Sequence, residues 1–289
     1  MSIIRRIVRF TKKSRREKIQ SLISNFKKIV YDIKHYKVAR NSKDKTVYII
    51  GLFGTGRSYI NKIILENIGD RTSYLREGVR CHRGRTSMIY SGHATIKYIS
   101  CGQRPPKTTQ CILKSVKAGH ADLIFVYRHP IDSLLTNWIW WRTYINNNYD
   151  MSASISEKYR NIDNLCKELE ENFMEFEAFS RGDAAFFVKL MEPPFLSFSE
   201  FVEETLLYIE VATLALRLED FMTDPVKEFY KIANLMSINL DLKNLRIARP
   251  QTKPYRYLLV KKQVKQFKLF IDNIDEETKN RIETLGYTL

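Results

Sequence analysis

A strand, a glycine-rich turn and a helix follow one another near residue 50, and this succession constrains the fold more than any other feature. Residues 46–50 are β-branched and aromatic, which predicts a short buried strand. The turn 51–58 comes next, and apolar residues at helical spacing follow it to Ile68. Glycines let the backbone approach a phosphate, and the first amides of a helix have no intrahelical acceptors. The succession therefore predicts a phosphate-binding loop and disfavours a plain turn.

The loop has the pattern G-x-x-x-x-G-R-S, with Arg57 where nucleotide-binding loops carry Lys. Kinases and nucleotidases on such loops need Mg²⁺, held partly by an Asp at the end of a neighbouring strand. The strands expected at residues 110–114 and 122–128 end instead in Lys114 and Arg128. A site lined by cations suits an anionic donor that is handled without a metal.

A second anion-binding feature follows the strand predicted at residues 122–128. Arg128 leaves that strand, and Pro130 begins a helix, since proline is favoured in a first turn. Asp132 lies in the first turn, where a carboxylate favours the helix dipole. Thr136 lies one turn further on the same face. Arg128 and Thr136 together could bind a second phosphate, which indicates a donor with phosphates at two positions.

Strands alternate with helices along the chain, which predicts an α/β fold in three layers, a parallel sheet with helices on both faces. A strand at 211–218 completes the expected sheet. The domain is expected to span residues 46–289 and to follow a separate segment, residues 1–45. Helices are expected near residues 130–147, 155–181, 198–208, 225–236 and 275–285.

Residues 1–45 hold most of the positive charge of the chain. They contain fifteen Lys and Arg against three acids, a net charge of +12 out of +16 for all 289 residues. Apolar residues from Ile19 to Tyr36 follow helical spacing, so the segment predicts a basic amphipathic helix. Such a helix can lie on an anionic membrane surface or pack on the domain, and the sequence leaves both open. Nucleic-acid binding is disfavoured, because no nucleic-acid module accompanies the charge.

Cysteine usage and hydropathy indicate the compartment. The four cysteines have neither metal-ligand spacing nor the density of a disulfide scaffold. No stretch reaches the roughly 18 apolar residues of a membrane span, and no signal-peptide core is present. A cytoplasmic location, with peripheral membrane attachment as an option, is the expectation.

Three motifs in this order resemble those of sulfotransferases that use 3′-phosphoadenylyl sulfate (PAPS). The phosphosulfate loop of that family is similar to residues 51–59. Its 3′-phosphate motif, R-x-P-x-D-x-x-x-[ST], matches residues 128–136 at every fixed position. Its L-R-Y-E-D-L motif with a following D-P resembles residues 216–221 and 224–225. The resemblance covers residues 46–289 and implies the sulfotransferase variant of the phosphate-loop fold, with PAPS as donor and adenosine 3′,5′-bisphosphate (PAP) as product.

The family pattern and this sequence differ within the loop. Gly54 stands where the family usually has Lys or Arg, and Arg57 stands where it has Thr, so Arg57 is expected to supply the displaced cation. Tyr59 occupies the place of a Trp that stacks on adenine in many members, and a Tyr ring can stack likewise. The donor-binding residues that the resemblance implies are Gly54, Thr55, Gly56, Arg57, Ser58, Tyr59, Arg128, Thr136, Arg249 and Lys253.

The resemblance also guides the assignment of catalytic residues. Lys114 corresponds to a family Lys, but Val116 replaces the family's base His. Carbohydrate-type members often place a Glu after the second strand, and Glu77 has the corresponding position here. Glu77 lies among arginines, so it is expected to be ionised and able to accept a proton, although an ion pair remains an alternative. The catalytic residues expected are Glu77, Lys114 and Arg57, with His82 as a further candidate for the base.

The expected reaction is sulfuryl transfer from PAPS to a hydroxyl, most plausibly of a saccharide or glycolipid. The alternative enzyme is an ATP-dependent phosphotransferase on the same loop. A non-catalytic membrane-surface module is a third class. The sequence does not identify the acceptor, whose pocket is expected from residues 75–108 and 145–200.

Overall fold

The computed structural model describes a central sheet and the helices packed on it. Of the predicted basic segment, residues 1–45, all but Lys45 lie outside the described residues. The described ranges are 45–52, 54–68, 72–75, 80–81, 84–85, 87–91, 94–98, 113–146, 161–182, 196–236, 245–247 and 255–289.

One sheet of six strands forms the centre of the molecule, in the order β2-β5-β6-β1-β7-β8. β1 pairs in parallel with both β6 and β7, and β7 pairs in parallel with β8. β5 pairs antiparallel with β2 and β6, so five strands share one direction and β5 opposes them. The strands are β1 Lys45–Ile50, β2 Thr72–Leu75, β5 Ser87–Ser91, β6 Ala94–Tyr98, β7 Ala121–Tyr127 and β8 Leu214–Arg217, with a separate short pair, β3 Arg80–Cys81 and β4 Gly84–Arg85.

The central strands alternate their side chains between two hydrophobic cores. In β1, Val47 and Ile49 join one core, and Tyr48 and Ile50 join the other. All four are at most 1% exposed. Successive residues of a strand point to opposite faces, so both faces of the sheet are covered by helices. The three-layer α/β architecture expected from the sequence is confirmed.

Ten helices and a short helical stretch at residues 113–117 surround this sheet within the described part of the chain. The smaller core contains residues of α1, α6 and α7, and the larger contains residues of α2–α5 and α8–α10. The helices are α1 Arg57–Ile68, α2 Pro130–Asn146, α3 Ile162–Glu171, α4 Phe173–Ser180, α5 Phe198–Val211, α6 Leu218–Thr223, α7 Pro225–Leu235, α8 Arg256–Gln263, α9 Lys265–Asp272 and α10 Glu276–Thr284.

The structure corrects three expectations. Residues 113–117 are helical, so the strand expected at 110–114 is wrong for its described part, and Lys114 is an exposed helical residue. The sheet is mixed, because β5 and β6 form a tight antiparallel pair that the sequence did not reveal. The helix expected at 155–181 is two helices, α3 and α4, which meet at Asn172. α8 and α9 were not expected at all.

Candidate functional site

The glycine loop connects β1 to α1 and is packed closely on both sides. Gly54 and Gly56 have φ angles of 78° and 82°, a region that favours glycine. A Cβ atom at Gly54 would lie 2.4 Å from the carbonyl oxygen of Ser133 in α2. A Cβ atom at Gly56 would lie 2.6 Å from a methyl group of Leu218. The two glycines therefore let the loop pass between α2 and the end of β8.

Side chains of the loop stabilise its turn from inside. The hydroxyl of Thr55 donates to the carbonyl of Leu52 at 2.7 Å. Nη1 of Arg57 donates to the carbonyl of Gly51 at 2.7 Å, and Arg57 is only 8% exposed. Both residues thus hold the loop shape, and the amides at the start of α1 remain the groups suited to an anion. The Ser58 side chain lies outside the described residues.

Tyr59 lies in the first turn of α1 and is half-buried. Its ring packs edge-on against Phe221, with ring centroids 6.3 Å apart. Burial raises the pKa of its hydroxyl. The ring therefore belongs partly to the smaller core, and only its exposed part is available to stack on a ligand.

Arg128 directly connects the second predicted anion site to the glycine loop. Its Nη1 lies 3.5 Å from the carbonyl oxygen of Gly54 and 3.3 Å from the hydroxyl oxygen of Thr136. Its Nη2 forms an ion pair with Asp132 at 3.1 Å, and both side chains are 1% exposed. The two anion-binding motifs therefore lie side by side at the carboxyl-terminal edge of the parallel strands, the usual place for ligands in such sheets.

Asp132 also fixes a distant part of the chain. Besides Arg128, its carboxylate accepts hydrogen bonds from the backbone amides of Tyr255 and Tyr257, the latter at 3.0 Å. These amides begin α8, where orphan N–H groups and the helix dipole favour a carboxylate. The sequence suggested only that Asp132 favours the dipole of its own helix, α2. In the structure it also caps a second helix.

His129 is buried between three elements at the same edge of the sheet. Its amide donates to Glu219 at 2.9 Å, and its Nε2 lies 3.2 Å from the carbonyl oxygen of Thr288. Its ring stacks on Tyr257 with centroids 4.1 Å apart. Desolvation lowers the pKa of His129 to about 4, so the ring is neutral at pH 7.

Glu219 connects the ends of β7 and β8 to residues 286–289. One of its oxygens accepts from the His129 amide, and the other accepts from the hydroxyl of Tyr287 at 3.0 Å. Burial, followed by the Glu219 charge, raises the pKa of Tyr287. The guanidinium of Arg217 lies over the Tyr287 ring, 4.0 Å from its centroid. The strand ends are thus held together by side chains.

Arginines and carboxylates lie close together in this region. Arg128, Arg217 and Arg256 lie around Asp132 and Glu219, and Arg256 is half-buried where α8 begins. Desolvation lowers the pKa of Arg256, and the nearby charge of Asp132 opposes that effect. Guanidinium groups offer several hydrogen-bond donors each, which suits an anionic ligand.

The structure brings some predicted site residues together and separates others. Lys114 lies on a helix that ends three residues before β7 begins, near the amino-terminal edge of the sheet. The glycine loop follows the opposite end of the parallel strand β1, so the assignment of Lys114 to a strand end beside the loop is wrong. Glu77, His82, Arg249 and Lys253 lie outside the described residues, and their roles remain predictions.

Sequence reasoning missed Arg217 and Tyr255 as part of this site. Arg217 belongs to residues 216–221, which resemble a family motif but were given no role in binding. No sequence pattern pointed to Tyr255, because its position is fixed by a hydrogen bond to Asp132, which lies 123 residues earlier in the chain.

The described residues contain neither a metal-binding cluster nor a membrane-spanning helix. Among them, no group of three His, Cys, Asp or Glu side chains could hold a metal ion. Within the same residues, none of the helices combines the length and apolar character needed to cross a bilayer.

The comparisons with known proteins find likeness among solved structures. No protein-family model matches the sequence, and no curated protein matches it. The fold is similar to the crystal structure of mouse sulfotransferase SULT7A1 complexed with PAP, with a TM-score of 0.42 and 13% identity over 86% of each chain. At this level of similarity we draw no functional conclusion from the likeness.

Proposed function

We propose that this chain is a sulfotransferase that moves a sulfuryl group from PAPS to a hydroxyl group. The observation that carries the proposal is the position of Arg128, whose guanidinium lies against both Gly54 and Thr136. Two anion-binding motifs side by side suit one donor with phosphates at two positions. The resemblance of both motifs to those of PAPS-dependent enzymes supports the same donor.

The donor is bound through both motifs. The amides at the start of α1 receive the 5′-phosphosulfate, since they lack intrahelical acceptors. Arg128 and Thr136 receive the 3′-phosphate. The Thr136 hydroxyl accepts a hydrogen bond from Arg128, so its own proton is available for a phosphate oxygen. Arg249 and Lys253 are expected to add charge to the 3′-phosphate site.

The chemical step is an in-line displacement at sulfur. The acceptor oxygen forms a bond to sulfur while the bond from sulfur to the 5′-phosphate oxygen breaks, leaving PAP. Glu77 accepts the proton of the acceptor hydroxyl, with His82 as the alternative base. Fixed positive groups at the phosphate stabilise the charge that develops on the leaving oxygen. Because Lys114 lies elsewhere, the dipoles of the amides at the start of α1 and the charge of Arg57 supply the positive potential at the loop.

A groove beside α5 supports a saccharide or glycolipid as acceptor. Its volume is about 520 Å³, within the range of ligand sites. Phe173, Phe198 and Phe270 line it together with serines and charged side chains. Apolar rings with a polar rim suit a sugar, which has both apolar faces and hydroxyls. Phe198 also lines a small cavity that reaches Ser133, whose carbonyl packs on Gly54.

The proposal includes a cytoplasmic location and peripheral attachment to a membrane. Residues 1–45 carry a net charge of +12 and attach the enzyme to an anionic membrane surface from the cytoplasm. Deleting residues 1–45 should then abolish binding to anionic liposomes and leave PAP binding unchanged.

Calorimetric titration with PAP tests the donor site. Arg128→Ala should weaken PAP binding several-fold to several-hundred-fold, because a charged contact is lost. This change also leaves Asp132 buried without its ion pair, so Thr136→Val serves as the milder variant, with an expected loss of about threefold to tenfold. Thr284→Val, on the exposed face of α10, is the matched control. Unchanged affinity in both site variants would contradict the 3′-phosphate assignment.

A thermal-shift comparison distinguishes the sulfotransferase from the ATP-dependent alternative. A ligand that binds only the folded state raises the melting temperature. PAP should stabilise the chain and ATP with Mg²⁺ should not. The opposite result would favour a phosphotransferase. A screen with radiolabelled sulfate across polysaccharide, glycolipid and phenolic acceptors then identifies the acceptor class.

A further inference from the structure

Tyr255 has a backbone conformation that tyrosine rarely adopts. Its φ and ψ angles are 57° and 25°, in the left-handed region. Among the described residues, Tyr255 is the only non-glycine residue with a positive φ. A side chain in this region is strained by its Cβ atom, and such strain clusters at ligand-binding positions. A glycine would adopt this conformation without strain, so the presence of a tyrosine indicates that its side chain has a role.

The surroundings of Tyr255 supply that reason. Its amide donates to the same Asp132 oxygen that pairs with Arg128. Its hydroxyl lies 3.4 Å from Nη2 of Arg217, which donates to it. The residue is 39% exposed, although both its backbone and its hydroxyl are held in place. The phenol therefore stands partly in solvent beside Arg217, while the backbone amide of Tyr255 lies beside the ion pair of Arg128 and Asp132.

The phenol has a hydrogen-bond donor to offer. Because the oxygen accepts from Arg217, the hydroxyl proton points away from that guanidinium and is available to an incoming acceptor. Phosphate oxygens are strong acceptors and occupy this region in the proposed function. A neutral donor beside arginines adds direction to a charge-dominated site.

We propose that Tyr255 binds the nucleotide, with its hydroxyl donating to a phosphate oxygen held beside Arg128. This inference rests on the proposed function, which supplies the nucleotide. The strained backbone is tolerated because it directs the ring of Tyr255 toward the ligand. Stability therefore favours a glycine at position 255, whereas nucleotide binding favours the tyrosine.

Two substitutions separate the effect of Tyr255 on stability from its effect on nucleotide binding. Tyr255→Gly keeps the amide that donates to Asp132, removes the ring and relieves the left-handed strain. Its melting temperature should stay equal to that of the wild type or rise by about 2 to 4 °C, while the affinity for PAP falls about tenfold or more. Tyr255→Phe keeps the ring and should weaken PAP binding about fivefold with little change in melting temperature. Tyr230→Phe, an exposed tyrosine of α7, is the control and should change neither quantity.

Thermal melts and calorimetric titrations with PAP on all four proteins decide the outcome. Unchanged PAP affinity in Tyr255→Phe overturns the hydroxyl contact, and unchanged affinity in both Tyr255 variants overturns the role of the residue. If Tyr255→Gly lowers the melting temperature, Tyr255→Phe alone decides. The proposed function itself fails when the wild type does not bind PAP, whereas the Tyr255 inference alone fails when the wild type binds and both variants bind equally well.

Discussion

The glycine loop and the Arg128 motif lie against each other, yet different forces hold them. The loop is fixed by close packing of its backbone, at Gly54 against Ser133 and at Gly56 against Leu218. The Arg128 motif is fixed by charged side chains from α2 and α6 and by backbone amides at the start of α8. One half of the site therefore depends on shape, and the other depends on electrostatics. Substitutions, pH and salt should affect the two halves differently.

Removal of the Asp132 carboxylate should have the largest effect. In Asp132→Ala, Arg128 loses its buried ion pair, and the amides of Tyr255 and Tyr257 lose their acceptor. Loss of one partner of a buried pair costs about 3–5 kcal/mol of unfolding free energy. Urea denaturation measures this cost. Asp272→Asn, which breaks the more exposed contact with Lys261, should cost less than about 1 kcal/mol. Equal costs in the two variants would show that the Arg128 motif is not held electrostatically.

Low pH should destabilise the Arg128 half of the site, because His129 becomes protonated. The pKa of His129 is about 4 in the folded chain and about 6.5 in the unfolded chain, so the unfolded state binds the proton first. The stabilisation from the neutral ring is present above pH 6.5 and is lost as the pH falls toward 4. The total is about 3 kcal/mol, because each pKa unit corresponds to about 1.4 kcal/mol.

Urea denaturation between pH 7.5 and pH 4 measures this loss. His129→Gln should flatten the decline between pH 6.5 and pH 5, whereas the exposed His120→Gln should not. Arg128 and Arg217 disfavour protonation of His129, and Asp132 favours it, while burial is the largest cause of the shift. A wild-type stability that stays constant from pH 6.5 to pH 5 would contradict the buried neutral ring.

A methyl group added at Gly54 should destabilise the loop half of the site by a steric clash. Gly54→Ala places a Cβ atom against the Ser133 carbonyl, in addition to the left-handed strain. Gly119→Ala has a similar φ of 72° with no atom within 4 Å, so it carries the strain without the contact. The difference between the two variants should be about 2 kcal/mol by urea denaturation. Indistinguishable variants would show that α2 yields readily and that the loop is not sterically fixed.

The smallest effect is expected at Tyr287. Tyr287→Phe removes one hydrogen bond to the buried Glu219 carboxylate, which costs about 1–2 kcal/mol. The affinity for PAP should change by less than about twofold, since Glu219 still holds the amide of His129. Tyr230→Phe provides the control for loss of an exposed hydroxyl. A large loss of PAP affinity with unchanged stability would place Tyr287 among the ligand contacts.

Local patterns predicted the parts of the site that lie close together in the sequence. The strand, glycine turn and helix at residues 45–68 were predicted because apolar spacing and glycines encode them locally. The spacing of Asp132 and Thr136 placed them on one helix face, close to the end of the strand before it, and the contacts of Arg128 with both residues confirm this arrangement. Fold class followed from the alternation of strands and helices.

Contacts between distant segments could not be predicted. The capping of α8 by Asp132 joins positions separated by 125 residues at Tyr257, and no periodicity reports such a contact. Residues 110–114 were predicted as a strand because a short apolar run does not distinguish a strand from a buried helix turn. Lys114 was misplaced with that strand. Glu77 and His82 remain predictions, since the structure does not describe them.

The bond between Asp132 and the start of α8 has a consequence for the order in which the molecule matures. During synthesis Arg128 and Asp132 leave the ribosome long before residues 255–257 exist, so the anion site is completed late. A nascent chain that ends before α8 should hold the glycine loop and yet fail to bind nucleotide. Because nucleotide would bind only after this closure, its presence should protect the junction before α8 from proteases more than it protects the sheet.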